Sequence, residues 1–142
     1  MNGYGIFDWK NGNNYDGNWK DGKFHGSGSF SWENGEKYVG EYYFGKKHGN
    51  GTLSYANGKK YIGEYKNNIK DGFGTYYDGT KIRYKGQWKD DKFNGKGIYY
   101  FKNGDEYDGE WKDNKMHGTG TMNFFSGKSK LEGIWTNNQL EC

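Results

Sequence analysis

Tyr15, Tyr38, Tyr61, Tyr84 and Tyr107 recur at spacings of 23 residues, and Leu131 follows after 24. Two positions after each stands a glycine: Gly17, Gly40, Gly63, Gly86, Gly109 and Gly133. Two further on comes a large aromatic: Trp19, Tyr42, Tyr65, Trp88, Trp111 and Trp135. The other half of each unit carries Gly-x-Gly, from Gly3/Gly5 to Gly118/Gly120. So many positions in phase mark a tandem array, in which each unit covers the face its neighbour cannot bury alone.

Each half-unit reads as a strand. Tyr15, Gly17 and Trp19 sit at i, i+2 and i+4 and share a face. Gly26, Gly28, Phe30 and Trp32 alternate with Ser27, Ser29, Ser31 and Glu33, and no segment carries a helical stripe. Asn34-Gly35, Asn57-Gly58 and Asn103-Gly104 are hairpin signals. A two-residue loop would put Tyr38 opposite Ser31 on the polar face. A three-residue loop, Glu33-Asn34-Gly35, sets Phe30 opposite Tyr38 and Gly28 opposite Gly40, which predicts a type I turn closed by a left-handed glycine. The alternate connection has Gly22, Gly45, Asn68, Asp91 and Asn114 at one position, residues that tolerate the left-handed region. The expected fold is all-β, an elongated single-layer antiparallel sheet. Its 12 strands would form one meander roughly 50 Å long, at ~4.8 Å per strand. The array divides into a partial repeat at 1–14, repeats at 15–37, 38–60, 61–83, 84–106 and 107–130, and a partial repeat at 131–142.

Composition supports this. Leu, Ile, Val and Phe number only 19 of 142 residues, too few to fill a two-layer globule. Disorder is excluded by a net charge of only +3 and an aromatic content of 20%. No stretch approaches the roughly 20 apolar residues that span a bilayer, and no signal-peptide core opens the chain. Cys142 is the single cysteine, so an internal disulfide is excluded and a reducing, cytoplasmic compartment is expected.

The third unit departs from the pattern. Lys81 takes the turn glycine's place, Gly79 comes two residues early, and Asp78 stands where other units have Trp9, Trp32, Tyr55, Phe101 and Phe124. The expectation is a turn moved to Tyr77-Asp78-Gly79, with the strand length returned after it. Met1 falls in the second strand of a unit and Cys142 after the first strand of another, with no polar capping repeat. Either the array continues beyond this chain, or partners cover its ends.

The pattern Tyr-x-Gly-(Glu/Asn/Gln)-(Trp/Tyr)-x-x-(Gly/Asn)-x-x-His-Gly-x-Gly resembles that of MORN (membrane occupation and recognition nexus) repeats. Tyr38-Val39-Gly40-Glu41-Tyr42 with His48-Gly49-Asn50-Gly51 carries it, as do residues 15–28 and 107–120, and the likeness covers the whole chain. It departs at Asp71, Lys81 and Asn94. The resemblance implies stacked β-hairpins in a twisted, grooved sheet. It also implies scaffold roles in cilia (axonemal or radial-spoke-like), the cortical cytoskeleton and membrane junctions, or service as the accessory module of a larger enzyme.

No constellation points to catalysis, a cofactor or a metal. His25, His48 and His117 share a slot that elsewhere holds Asp71 and Asn94. Adjacent copies would lie ~10 Å apart, whereas ligands sharing one zinc must each approach to ~2.1 Å. Gly-x-Gly lacks the helix N-terminus that phosphate loops require. Asp90 and Asp91 sit together in a solvated turn, and Cys142 has no nearby histidine in sequence.

Two surfaces remain. Lys20, Lys66, Lys89 and Lys112 form an outward row beside Glu41, Glu64 and Glu110, expected to be partly neutralised by it. A second row at the turns, Lys23, Lys46, Lys92 and Lys115, offers a weak anionic-lipid edge, while the dilute charge argues against nucleic acid. The inward face carries aromatics with no second layer to cover them. Trp9, Trp19, Phe30, Trp32, Tyr38, Tyr42, Tyr55, Trp88, Phe101, Trp111 and Phe124 are the candidate partner groove, with Gly17, Gly40, Gly63, Gly86 and Gly109 as structural glycines. The expected function is a non-enzymatic scaffold that binds protein partners in a cytoskeletal assembly. The outer strands leave unpaired edges on which a second copy could pair.

Overall fold

In the computed structural model, residues 2–127 and 129–141 are described. The expectations placed on Met1 and Cys142 lie outside them. The chain forms two compact units, Met1–Lys70 and Asp71–Cys142. In the first, β1 (Gly3–Asp8), β2 (Asn14–Lys20), β3 (Lys23–Ser31), β4 (Lys37–Tyr43), β5 (Lys46–Ser54) and β6 (Lys59–Lys66) pair antiparallel in chain order. The second holds β7 (Ile69–Asp78, apart from its first two residues), β8 (Lys81–Lys89), β9 (Lys92–Tyr100), β10 (Glu106–Lys112), β11 (Lys115–Asn123), β12 (Lys130–Thr136) and β13 (Gln139–Leu140). These also pair antiparallel in chain order. No helix occurs among the described residues. The all-β fold of stacked hairpins read from the sequence is the fold observed.

Strand count needs one correction, from 12 to 13. Asn137-Asn138 repeats the turn chemistry of earlier units, with φ of 49° and 71°, and returns Leu140 opposite Trp135.

The three-residue loops form as expected. Gly35 N donates to Trp32 O (3.2 Å), Trp32 N donates to Glu36 O (2.9 Å), and Gly35 has φ 96°. The register follows, Phe30 opposite Tyr38 and Gly28 opposite Gly40. At the alternate connections both central residues are left-handed, as at Asp21 (50°) and Gly22 (75°), which makes them two-residue type I′ turns. The sequence pattern points only to the second of these positions.

The third unit differs from its expected turn. Tyr77 and Asp78 stay in strand, opposite Ile82 and Lys81, and the turn is Gly79-Thr80 with Gly79 at φ 64°. Arg83 bulges out between Ile82 and Tyr84, so Tyr76 meets Tyr84 and the buried row keeps its register. Arg83 Nη1 donates to Tyr100 O (3.3 Å), and its Nε lies 3.9 Å from the Asp78 carboxylate.

The core is a tyrosine row beside a glycine ladder. Tyr15, Tyr38, Tyr61, Tyr84 and Tyr107 have 0% exposure. Each ring folds back along its own strand, and its hydroxyl donates to the carbonyl three residues on, as Tyr38 does to Glu41 O (2.8 Å). It lies over a facing glycine pair. A Cβ at Gly40 would stand 2.5 Å from Gly51 Cα and 2.7 Å from the Tyr38 hydroxyl. The ring at i+4 meets the tyrosine edge-on, as Tyr38 and Tyr42 do at 5.1 Å and 75°. The next repeat continues the chain of rings, with Tyr38 and Tyr65 at 5.5 Å and 84°. Tryptophans add a hydrogen bond across repeats, from Trp111 Nε1 to Gly97 O and from Trp135 Nε1 to Gly120 O (both 3.0 Å).

Two outcomes are expected. Gly40→Val forces apart backbone that no rotamer change can relieve, and denaturant midpoints should report a loss of roughly 1–3 kcal/mol. Burial pushes the Tyr15 and Tyr107 hydroxyls up from 10.0 to about 12, and raises Tyr38, Tyr42 and Tyr84 as well. Stability from neutral buried phenols is therefore complete below pH ~10 and is lost as pH rises towards 12. Absorbance at 295 nm should show exposed tyrosines such as Tyr43 ionising first. The buried ones should follow only with loss of the β-sheet circular dichroism signal.

Candidate partner-binding face

Strand alternation puts every large ring of the first unit's tyrosine and tryptophan rows on one face. The structure divides the eleven groove candidates. Tyr38, Tyr42, Trp88 and Trp111 are buried within the ring stacks and serve the fold. Trp9, Trp19, Phe30, Trp32, Tyr55, Phe101 and Phe124 are half-exposed. Trp32 packs on Phe30 (4.6 Å), and Phe101 on Tyr99 (4.9 Å), each leaving ring surface open. In the second unit Phe93, Tyr99, Phe101, Trp111, Asn114, Met116 and Asn138 line an open depression of about 460 Å³, the most apolar on that face.

One set of residues on this face was missed from sequence. It follows the type I′ turns at positions 24, 47, 70, 93 and 116, occupied by Phe, Lys, Lys, Phe and Met. Phe24 stacks flat on Tyr15 (3.8 Å, 9°) and Phe93 on Tyr84 (3.9 Å, 11°). Lys47 instead sets its ammonium over Trp32, Tyr38 and Tyr65, at 5.5, 5.5 and 5.7 Å. Lys70 lies over Tyr55 and Tyr61, at 5.3 and 5.2 Å, and donates to the Tyr55 hydroxyl (2.5 Å). A cation on a ring face replaces a ring on a ring face. The mixture of residue types hid the slot.

The MORN repeat pattern matches residues 1–14, 15–37, 38–60, 61–81, 84–106 and 107–129, covering most of the chain. The chain belongs to the MORN-repeat family. MORN repeats are generally non-catalytic modules for protein or membrane-lipid interaction. Comparison with individual curated proteins gives no match.

The outer face of these MORN repeats works differently from the expected neutralised rows. Glu41 and Glu110 turn to the backbone, accepting from Asn50 N and Thr119 N (2.6 Å each) beside the bulge glycines Gly49 and Gly118, whose φ are 81° and 72°. The Thr119 N–H, and then its hydroxyl, hold the Glu110 carboxyl below the usual carboxylate range. Glu110 also faces Lys96 across the strands. The lysines meet lysines. Lys20 stands opposite Lys23, Lys89 opposite Lys92 and Lys112 opposite Lys115, each pair exposed on one face. Lys46 stands opposite Tyr43. His25 has a turn role, its Nδ1 accepting from Phe44 N (3.2 Å) where Phe44 holds φ 42°.

Such paired but shallow charges supply about 1 kcal/mol per lysine near an anionic surface, falling off within a Debye length. Co-sedimentation with phosphatidylserine vesicles should therefore be weak and largely lost at high salt. Salt-resistant, headgroup-selective binding would give the lysine edge a larger role.

Proposed function

We propose that this chain is a non-enzymatic scaffold module that binds protein partners along its aromatic face. The observation that carries the reading is the half-exposed row of Trp9, Trp32, Tyr55, Phe101 and Phe124 beside fully buried tyrosines. The buried rings secure the sheet, so the row beside them is left with open ring surface. Tryptophan, tyrosine and phenylalanine are the ring types enriched in interface cores. The cytoskeleton, at the cilium or the cell cortex, is the assembly in which we place it, on the strength of the family. Lipid binding through the lysine pairs is the second reading, favoured by their shared face.

Affinity capture from the native organism identifies the partner. Trp32→Ala and Phe101→Ala, each in a different unit, should then cost more than about 1 kcal/mol of binding where the ring is an anchor. Circular dichroism and melting separate lost contact from lost fold. A partner that touches only the lysine turns or the outer face, leaving the aromatic row unaltered, would overturn the proposal.

A further inference from the structure

We infer that the aromatic face of the first unit takes an acidic segment of a partner protein, with two carboxylates about 10 Å apart that reach Lys47 and Lys70. This rests on the reading of that face as a protein groove and adds the chemistry of what fits it. Lys47 and Lys70 occupy the same slot in successive hairpins, two strands apart, and so are separated by roughly 10 Å. Both are half-buried among rings rather than extended into solvent. The other repeats fill the slot with Phe24, Phe93 and Met116, so the fold does not require a cation there.

The carboxylates of the first unit lie elsewhere. Asp16 is opposite Ile6 and Ser29 on the outer face, Glu41 is held by Asn50 N, and Glu36 accepts from Asn34 within its turn. The aromatic face is therefore cationic. A wholly apolar segment laid on it would strip water from two ammonium groups and return no charge, which is strongly unfavourable. A carboxylate arriving in the same place forms a charge-assisted hydrogen bond in poorly hydrated surroundings. The two lysines thus select against apolar segments as well as for acidic ones. Spacing narrows the class further. Residues i and i+3 of a polyproline-II segment lie on one side about 9 Å apart, and i and i+7 of a helix about 10.5 Å apart. A β-strand puts i and i+3 on opposite sides.

The test uses the full chain and four fluorescent peptides in polarisation assays. One is a proline-rich peptide with two aromatics and glutamates at i and i+3, one is a helical peptide with glutamates at i and i+7, and each has a glutamine counterpart. At least one glutamate peptide should bind about tenfold or more tighter than its glutamine counterpart, and added salt should erode the difference. Lys47→Met with Lys70→Met, a residue already used at Met116, should abolish that preference without lowering the melting temperature. Equal binding of the glutamate and glutamine peptides, or a preference that survives in the double variant, would overturn the inference. Trp32→Ala separates the two levels. If it weakens all peptides while no glutamate preference exists, the groove stands and the charge inference fails. If it weakens none, the groove reading fails too. Phosphatidylserine vesicles bound through these two lysines, with no peptide bound, would replace the protein segment by a membrane.

Discussion

A tyrosine ring laid over two facing glycines, its hydroxyl bonded to the carbonyl three residues on, is the contact on which each unit depends. At Tyr38 the ring covers Gly40 and Gly51, and either glycine given a Cβ would strike backbone or ring. The hydrogen bond to Glu41 O satisfies the phenol where water is excluded. Burial of such a side chain is worth about 1.5–3 kcal/mol, and the contact recurs at Tyr15, Tyr61, Tyr84 and Tyr107. A single-layer sheet can thereby own a core. The glycines remove the volume that would hold the rings away, and the rings replace the missing second layer.

Two alternating turn types keep the rows in line. Three-residue loops with a left-handed glycine set one register, and two-residue type I′ turns set the other. Between them, bulges at Gly49 and its equivalents realign the ladder, and a carboxylate such as Glu41 caps the N–H groups they expose. The third unit shows how strongly this register is defended. Its hairpin turns two residues early at Gly79, yet Arg83 bulges so that Tyr84 still enters the buried row.

Because the repeats are built alike, their differences carry the functional content. Lysine at 47 and 70 in place of phenylalanine or methionine keeps the slot filled through cation–π contacts while changing the sign of the surface. Outer-face carboxylates serve bulges, so lysine pairs at the turns stay exposed without close neutralisation by that row. Scaffold repeats can in this way hold one fold constant and vary what each stretch of face will accept.

Periodicity by itself determined the strands, the hairpin order, the three-residue loops and the pairing of Gly28 with Gly40, because strand parity and left-handed turn residues are local properties written in spacing. The MORN pattern was legible for the same reason. The sequence could also place Tyr38 and Trp32 on one face. It could not say that Tyr38 is sealed while Trp32 stays half-open, since that depends on which glycine pair the ring folds over. Nor could it place Lys47 among rings, count Gln139–Leu140 as a strand, or tie Glu41 to a bulge rather than to a lysine. Those outcomes are set by contacts between neighbouring strands, where packing and backbone hydrogen bonds outweigh the preferences of any single residue.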